Sequence, residues 1–241
     1  MPQTGLERPC PGKSVKTSIA FLFLIIAVIA LSALFRSGEQ PAGQAVAGLP
    51  WQIEILPNGK TRVFGLIPAR STLDDARGRF GMDMEIAVIA APGEPGSLEA
   101  YSSSVTTGLI MGKMILVADM DREAVARLRQ RAIKSVHMDS STRKYILHHD
   151  DLALAWHSPI ASITFIPAAS LDEQTVLRRF GAPGERIRID ERVEHLLYPD
   201  KGLDLTLDSK SKAVLQYVAP QQFARLREPL IKVAPEITRR P

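Results

Sequence analysis

The longest unbroken hydrophobic stretch lies near the start of the chain. Residues 17–35 (TSIAFLFLIIAVIALSALF) are 19 positions without a charge, a proline or a glycine. At about 1.5 Å per residue such a helix is roughly 29 Å long, close to the ~30 Å hydrocarbon core of a bilayer. In lipid the backbone can hydrogen-bond only to itself, so a helix is the state expected for this run. It is apolar on every side and has no polar face to turn toward water in a small domain. Arg8, Lys13 and Lys16 precede it, while Arg36 follows and is offset by Glu39. The excess of positive charge places the preceding residues in the cytoplasm and the bulk of the chain outside. A cleaved secretory signal is the alternative, because Ala45-Val46-Ala47 before Gly48 resembles a processing site.

Beyond the run the pattern changes. Residues 36–50 are small and rich in Gly, Pro and Ala, which reads as a flexible tether. The remainder alternates short helical and short extended patterns. Two segments match each other: residues 67–81 (IPARSTLDDARGRFG) and 166–181 (IPAASLDEQTVLRRFG). The match continues from LEAY (98–101) to HLLY (195–198), then from Gly108-Leu109 to Gly202-Leu203. It ends with Lys113 to Leu128 beside Lys212 to Leu226. The offset stays near 100 residues, too long for a solenoid unit, so two copies of a small domain are expected at 51–137 and 138–241.

Within each copy, Ser71 or Ser170 is a candidate N-cap, followed by acidic residues that suit a helix N-terminus. Leu73, Ala76 and Phe80 share one helical face, as do Leu171, Val176 and Phe180. Gly81 and Gly181 are placed to stop the helices. Strands are expected at 85–90, 114–118, 195–198, 203–207 and 213–218, with closing helices at 122–132 and 221–227. Asn58-Gly59 marks a hairpin joining 51–56 to 61–66. A second hairpin is expected where 143–149 turns at Asp150-Asp151 into 152–156. The expected class is α+β: one N-terminal transmembrane helix, then two copies of a small antiparallel-sheet domain with short helices.

The helix ending in RFG-x-P, followed by YP-x-x-GL-x-L-x-L and a lysine-led strand, resembles the BamE/SmpA-type envelope lipoproteins and related β-lactamase-inhibitor-like repeats. The matching residues are 171–183 with 198–218, and 73–81 with 101–118. The chain departs from that pattern by carrying an apolar run where those proteins have a lipidated cysteine. The resemblance implies a non-catalytic envelope module that binds protein.

Composition adds limits. Past residue 40 the chain has 26 Lys and Arg against 24 Asp and Glu, interspersed, for a net charge of +2. That balance does not suggest nucleic-acid binding. The one cysteine, Cys10, precedes the apolar run, so the exported part has neither disulfide nor thiol chemistry.

Candidate chemistry is sparse. No catalytic residues are assigned and no cofactor is expected. His148, His149 and Asp150, with His157 nearby, are the candidate metal ligands. On a strand, however, His148 and His149 would face opposite ways. No G-x-S-x-G elbow is present. The pairs Asp74-Asp75 and Asp172-Glu173 suit helix N-termini, and Gly93-Glu94-Pro95-Gly96 lacks the lysine of a phosphate loop. Phe80 with Phe180, and Tyr101 with Tyr198, occupy matched positions and read as packing. Trp51 and Trp156 are expected at the starts of the two sheets.

The function expected on these grounds is a membrane-anchored extracytoplasmic (periplasmic) binding or scaffold protein. Its partners would be membrane lipid, through the helix, and an envelope protein. A metal-dependent hydrolase at 148–157 and a carrier of apolar ligands between the copies are the alternatives.

Overall fold

The computed structural model describes residues 46–138 and 141–234. The apolar run at 17–35 and Cys10 lie outside the described residues. Among the described residues, no helix is long and apolar enough to cross a membrane.

The protein is mostly β. A short hairpin pairs β1 (Glu54–Ile55) with β2 (Thr61–Arg62), and ten further strands make a single antiparallel sheet. These are β3 (Glu85–Ala90), β4 (Ser97–Thr107), β5 (Ile110–Ala118), β6 (Lys134–His137), β7 (Arg143–Ile146), β8 (Ile160–Pro167), β9 (Glu185–Arg188), β10 (Val193–Tyr198), β11 (Leu203–Asp208) and β12 (Val214–Val218). Their spatial order is β6-β7-β3-β4-β5-β8-β12-β11-β10-β9. The edge strands β6 and β9 are four residues each and carry Lys134, His137, Glu185, Arg186 and Arg188, a composition that discourages edge-to-edge pairing.

This corrects the expectation of two small α+β domains. Strand β8 pairs with β5 on one side and β12 on the other. Residues before and after it therefore share one ladder, and neither set closes a sheet of its own. The physical cause lies in what precedes the two IPA motifs. Ile160–Pro167 (IASITFIP) carries three Ile, a Thr and a Phe, all β-favouring, and no glycine. Its counterpart reads VFGLIP, and there Phe64 (φ 54°) and Gly65 (φ 78°) form a two-residue turn. Val63 and Leu66 exchange backbone hydrogen bonds of 2.9 and 2.8 Å across it. The first motif thus becomes a buried loop that docks onto the start of β8, where Ala69 N–H donates to the Ile160 carbonyl and Ile160 N–H to that of Ser71.

Among the described residues, five α-helices accompany the sheet: α1 (Leu73–Phe80), α2 (Arg122–Gln130), α3 (Leu152–Trp156), α4 (Glu173–Phe180) and α5 (Ala224–Val233). The caps of α1 and α4 are Thr72 and Asp172 rather than Ser71 and Ser170. Thr72 and Asp75 form a reciprocal capping box, and Asp172 accepts from the Thr175 N–H at 2.7 Å. Ser71 instead accepts from Ile67 N–H, and Ser170 from Lys212. Both helices end on a positive-φ glycine, Gly81 and Gly181. Residues 152–156, expected as a strand, form α3, because LALAW is built of Leu and Ala, the strongest helix formers.

The core lies on one face of the sheet. Val88, Leu98, Met114, Leu116, Ile163, Phe165, Leu196, Leu205, Leu215 and Tyr217 are all at most 1% exposed. Leu73 and Ala76 of α1, Val125 and Leu128 of α2, Trp156 of α3, and Val176 and Phe180 of α4 close over them. The two tryptophans cross over. Trp51 meets Phe180 edge-on at 6.3 Å and lies under Arg179, while Trp156 lies under Arg77 of α1. Each therefore packs on the helix of the other matched segment. Residues 46–50 belong to the fold: the Tyr217 hydroxyl donates to the Pro50 carbonyl at 3.0 Å.

Candidate functional site

Three places bring polar side chains together: the histidine cluster, a buried histidine–aspartate pair and the second face of the sheet.

Strand β7 ends at Ile146, and His148 then caps a 3-10 turn at His149–Asp151 that leads into α3. Because the chain turns here, the two imidazoles come together instead of facing opposite ways. Their ring centroids are 4.2 Å apart. His148 Nδ1 is 3.3 Å, and His149 Nε2 2.9 Å, from Asp150 carboxylate oxygens. Among the described residues, these three are the group whose ligand atoms lie near enough to hold one metal ion. The fourth candidate, His157, is not part of it; its Nδ1 contacts the Ala153 carbonyl at 2.7 Å. The carboxylate already has other company. Arg131 lies 3.8 Å from Asp150 and bonds Asp151 at 2.9 Å. His149 is 80% exposed and sits at the surface. The donor set fits a borderline metal such as zinc, but exposure and a neighbouring guanidinium both weaken such a site.

The sequence reading missed His195 and Asp204. They lie diagonally across β10 and β11 on one face, where His195 is paired with Thr206 and Asp204 with Leu197, and Asp204 is 5% exposed. His195 Nδ1 lies 2.9 Å from both carboxylate oxygens, with Thr206 Oγ1 at 3.2 Å. The alternation in LDLT, which turns Asp204 and Thr206 to one face, was the available signal, and the register brings His195 beside them. The arrangement orients an imidazole and satisfies a buried carboxylate. The hydroxyl beside it, Thr206 Oγ1, meets the same Nδ1 that faces the carboxylate.

That pair belongs to the second face of the sheet. Helix α5 covers one end, packing Phe223, Leu226 and Leu230 over Ile187, Leu197 and Val218. Arg227 holds α5 to Glu185 with a two-pronged bridge of 2.6 and 3.0 Å, which raises the Arg227 pKa. Further along, the register lines up Tyr101, Ile115, Thr164 and Gln216 in one cross-strand row that continues to Asp204. The first four are only half-buried. Tyr101 and Tyr198 are thus not equivalent: Tyr198 faces the core, where its hydroxyl donates to the Gly181 carbonyl. In the neighbouring row Glu99 is desolvated by burial, which raises its carboxyl pKa despite a 2.6 Å bond from Ser97.

The carboxylate pairs serve local structure. Asp74 bonds Arg77, and Glu173 bonds Arg186. Asp190 caps a turn by accepting from the Arg192 and Val193 N–H groups, which lowers its pKa. The two matched segments contribute to one sheet instead of forming two facing copies. Comparison with protein-family models, with curated proteins and with solved structures finds no match.

Proposed function

We propose that this is a membrane-anchored extracytoplasmic protein that acts by binding or scaffolding and not by catalysis. The observation that carries the reading is the 19-residue charge-free run at 17–35, with Arg8, Lys13 and Lys16 before it. Two features of the folded part support it. The amide of Gln52 clamps both the Val46 carbonyl (2.8 Å) and the Leu49 N–H (2.9 Å). The bond after Ala47 that a signal peptidase would cut thus lies between clamped residues of the fold, which favours a retained anchor over a cleaved signal. The open half of the sheet presents a row mixing an aromatic, an aliphatic and two amide or hydroxyl side chains, a surface suited to a protein partner. Affinity purification of the full chain from detergent-solubilised membranes should recover an envelope protein in stoichiometric amount. Failure to recover one across several mild detergents would overturn the binding role.

A second reading, a metal-dependent hydrolase, rests on the convergence of His148, His149 and Asp150. Metal analysis of the purified chain decides it. A full equivalent of zinc that is lost in a His148→Ala variant would support it; a metal-free protein would end it.

A further inference from the structure

The point where the tether meets the fold is fixed, and it is at one end of the sheet. Val46 and Leu49 lie against Gly108, so closely that a Cβ there would come within 2.8 Å of Leu49 and 3.1 Å of Val46. Gly108 takes φ +62° in the turn between β4 and β5. The same turn carries Leu109, which is 79% exposed, and β5 begins beside it with Met111, 55% exposed. Leu109 is the most exposed large apolar side chain among the described residues, and Met111 lies two positions from it.

Basic side chains surround this tip. Lys113 and Lys212 line one groove with Met111, Ile166, Pro167 and Ala168. The register places the end of β8 next to the start of β5, since Gly112 pairs with Pro167. Arg79 lies on the other side, beside Gly48 and Gly65. Neither lysine has a carboxylate partner within salt-bridge distance among the described residues. Exposed aliphatic tips ringed by unpaired cations are the chemistry of a surface that meets anionic lipid headgroups.

Chain length says which surface that is. Ten residues lie between Phe35, the last of the apolar run, and Val46, or eleven Cα-to-Cα steps. Fully extended they reach about 36–40 Å, and a coil of that length averages about 18 Å. If the run is in the bilayer, the β4–β5 tip is the part of the fold tied closest to it. The opposite end, at the turn before Ser97, is a strand of eleven residues away, about 37 Å. Tethering also raises the local concentration of the membrane at this tip, so that weak contacts suffice.

We infer that the β4–β5 hairpin is the membrane-facing end of the domain. Leu109 and Met111 enter the headgroup layer of the same bilayer that holds the anchor, and Lys113 and Lys212 contact anionic lipid. This rests on the anchored reading above and adds an orientation to it: the open sheet face and the far loops project away from the membrane.

The test uses the full chain in nanodiscs of phosphatidylcholine, with or without phosphatidylglycerol, and reads amide hydrogen exchange. With the anionic lipid, amides at 107–113 should exchange at least about threefold more slowly, while loop 91–96 is unchanged. A Lys113→Gln/Lys212→Gln variant should lose most of that slowing and keep its melting temperature. Equal exchange at 107–113 in both lipids, with the chain still held in the discs, would overturn the docking and leave the anchor standing. A chain that does not incorporate into the discs would overturn both.

Discussion

Trp51 and Trp156 stand at matching places, each ahead of one of the two similar segments, yet their environments differ and their loyalties are exchanged. Trp51 is half-buried and packs on Phe180 and Arg179, in the second segment's helix. Trp156 is 8% exposed and packs under Arg77, in the first segment's helix. Each segment is finished by residues that belong, in sequence, to the other. The comparison teaches that sequence similarity at a fixed offset does not imply separable domains. Once β8 is shared between the two halves, crossing contacts hold them in one cooperative unit.

The hardest blow to that unit should fall on β8 itself. Phe165 is fully buried, contacts Phe64 at 5.3 Å and sits on the strand common to both halves. Phe165→Ala should cost about 3–5 kcal/mol. In urea, the Trp51→Phe and Trp156→Phe variants each leave a single tryptophan reporter for one half. Both reporters should give the same midpoint, and Phe165→Ala should shift them together. Separate midpoints would restore the picture of two domains.

Next come the tryptophans. Trp156→Ala should destabilise more than Trp51→Ala, because it removes more buried surface, with the larger loss again about 3–5 kcal/mol. Hydrogen exchange should show Trp51→Ala loosening residues 173–180 and Trp156→Ala loosening 73–80. The reverse assignment would refute the exchange of partners.

The two helix caps offer a finer contrast. Thr72→Ala should cost about 1 kcal/mol, or ~2–4 °C in melting temperature, and should do so from about pH 3 to about pH 7. Asp172 titrates. The Thr175 backbone N–H holds its carboxyl below the ordinary range, so the folded state binds a proton less readily than the unfolded one. Its contribution is complete above the unfolded pKa and disappears as pH falls through the lower folded value. Asp172→Ala should therefore destabilise at neutral pH, and the difference from wild type should vanish in strong acid.

Glu99 should give the smallest effect, with the opposite sign. Burial raises its folded pKa, so folding is penalised progressively as pH rises above the unfolded value. Glu99→Gln should raise the melting temperature by ~1–2 °C at neutral pH and give no gain where the carboxyl is already protonated in both states.

Local features were readable in the chain. Asn58-Gly59 makes its turn, with Gly59 at φ +72°, and the RFG sequences end both matched helices. Strand β3 forms at 85–90 as its apolar run suggests. What could not be read was pairing between distant strands. Nothing local distinguishes β8 as a central strand from the loop its counterpart becomes, except Gly65, whose meaning depends on the Phe64 backbone. The histidine cluster was misjudged for a related reason. Alternation applies to a strand, and the chain leaves β7 at Ile146, before His148. The buried His195–Asp204 pair needed the β10–β11 register to become visible.

The claim at the centre of this account is that residues 17–35 hold an exported domain to a membrane, and Cys10 allows it to be tested directly. It is the only cysteine in the chain and lies before the apolar run. In intact spheroplasts, a membrane-impermeant maleimide should leave Cys10 unlabelled until the membrane is permeabilised. It should label a cysteine placed at Glu94 in a Cys10→Ser background without permeabilisation, and the chain should stay in the pellet through alkaline carbonate. Labelling of Cys10 in intact spheroplasts, or release of the chain by carbonate, would contradict the account.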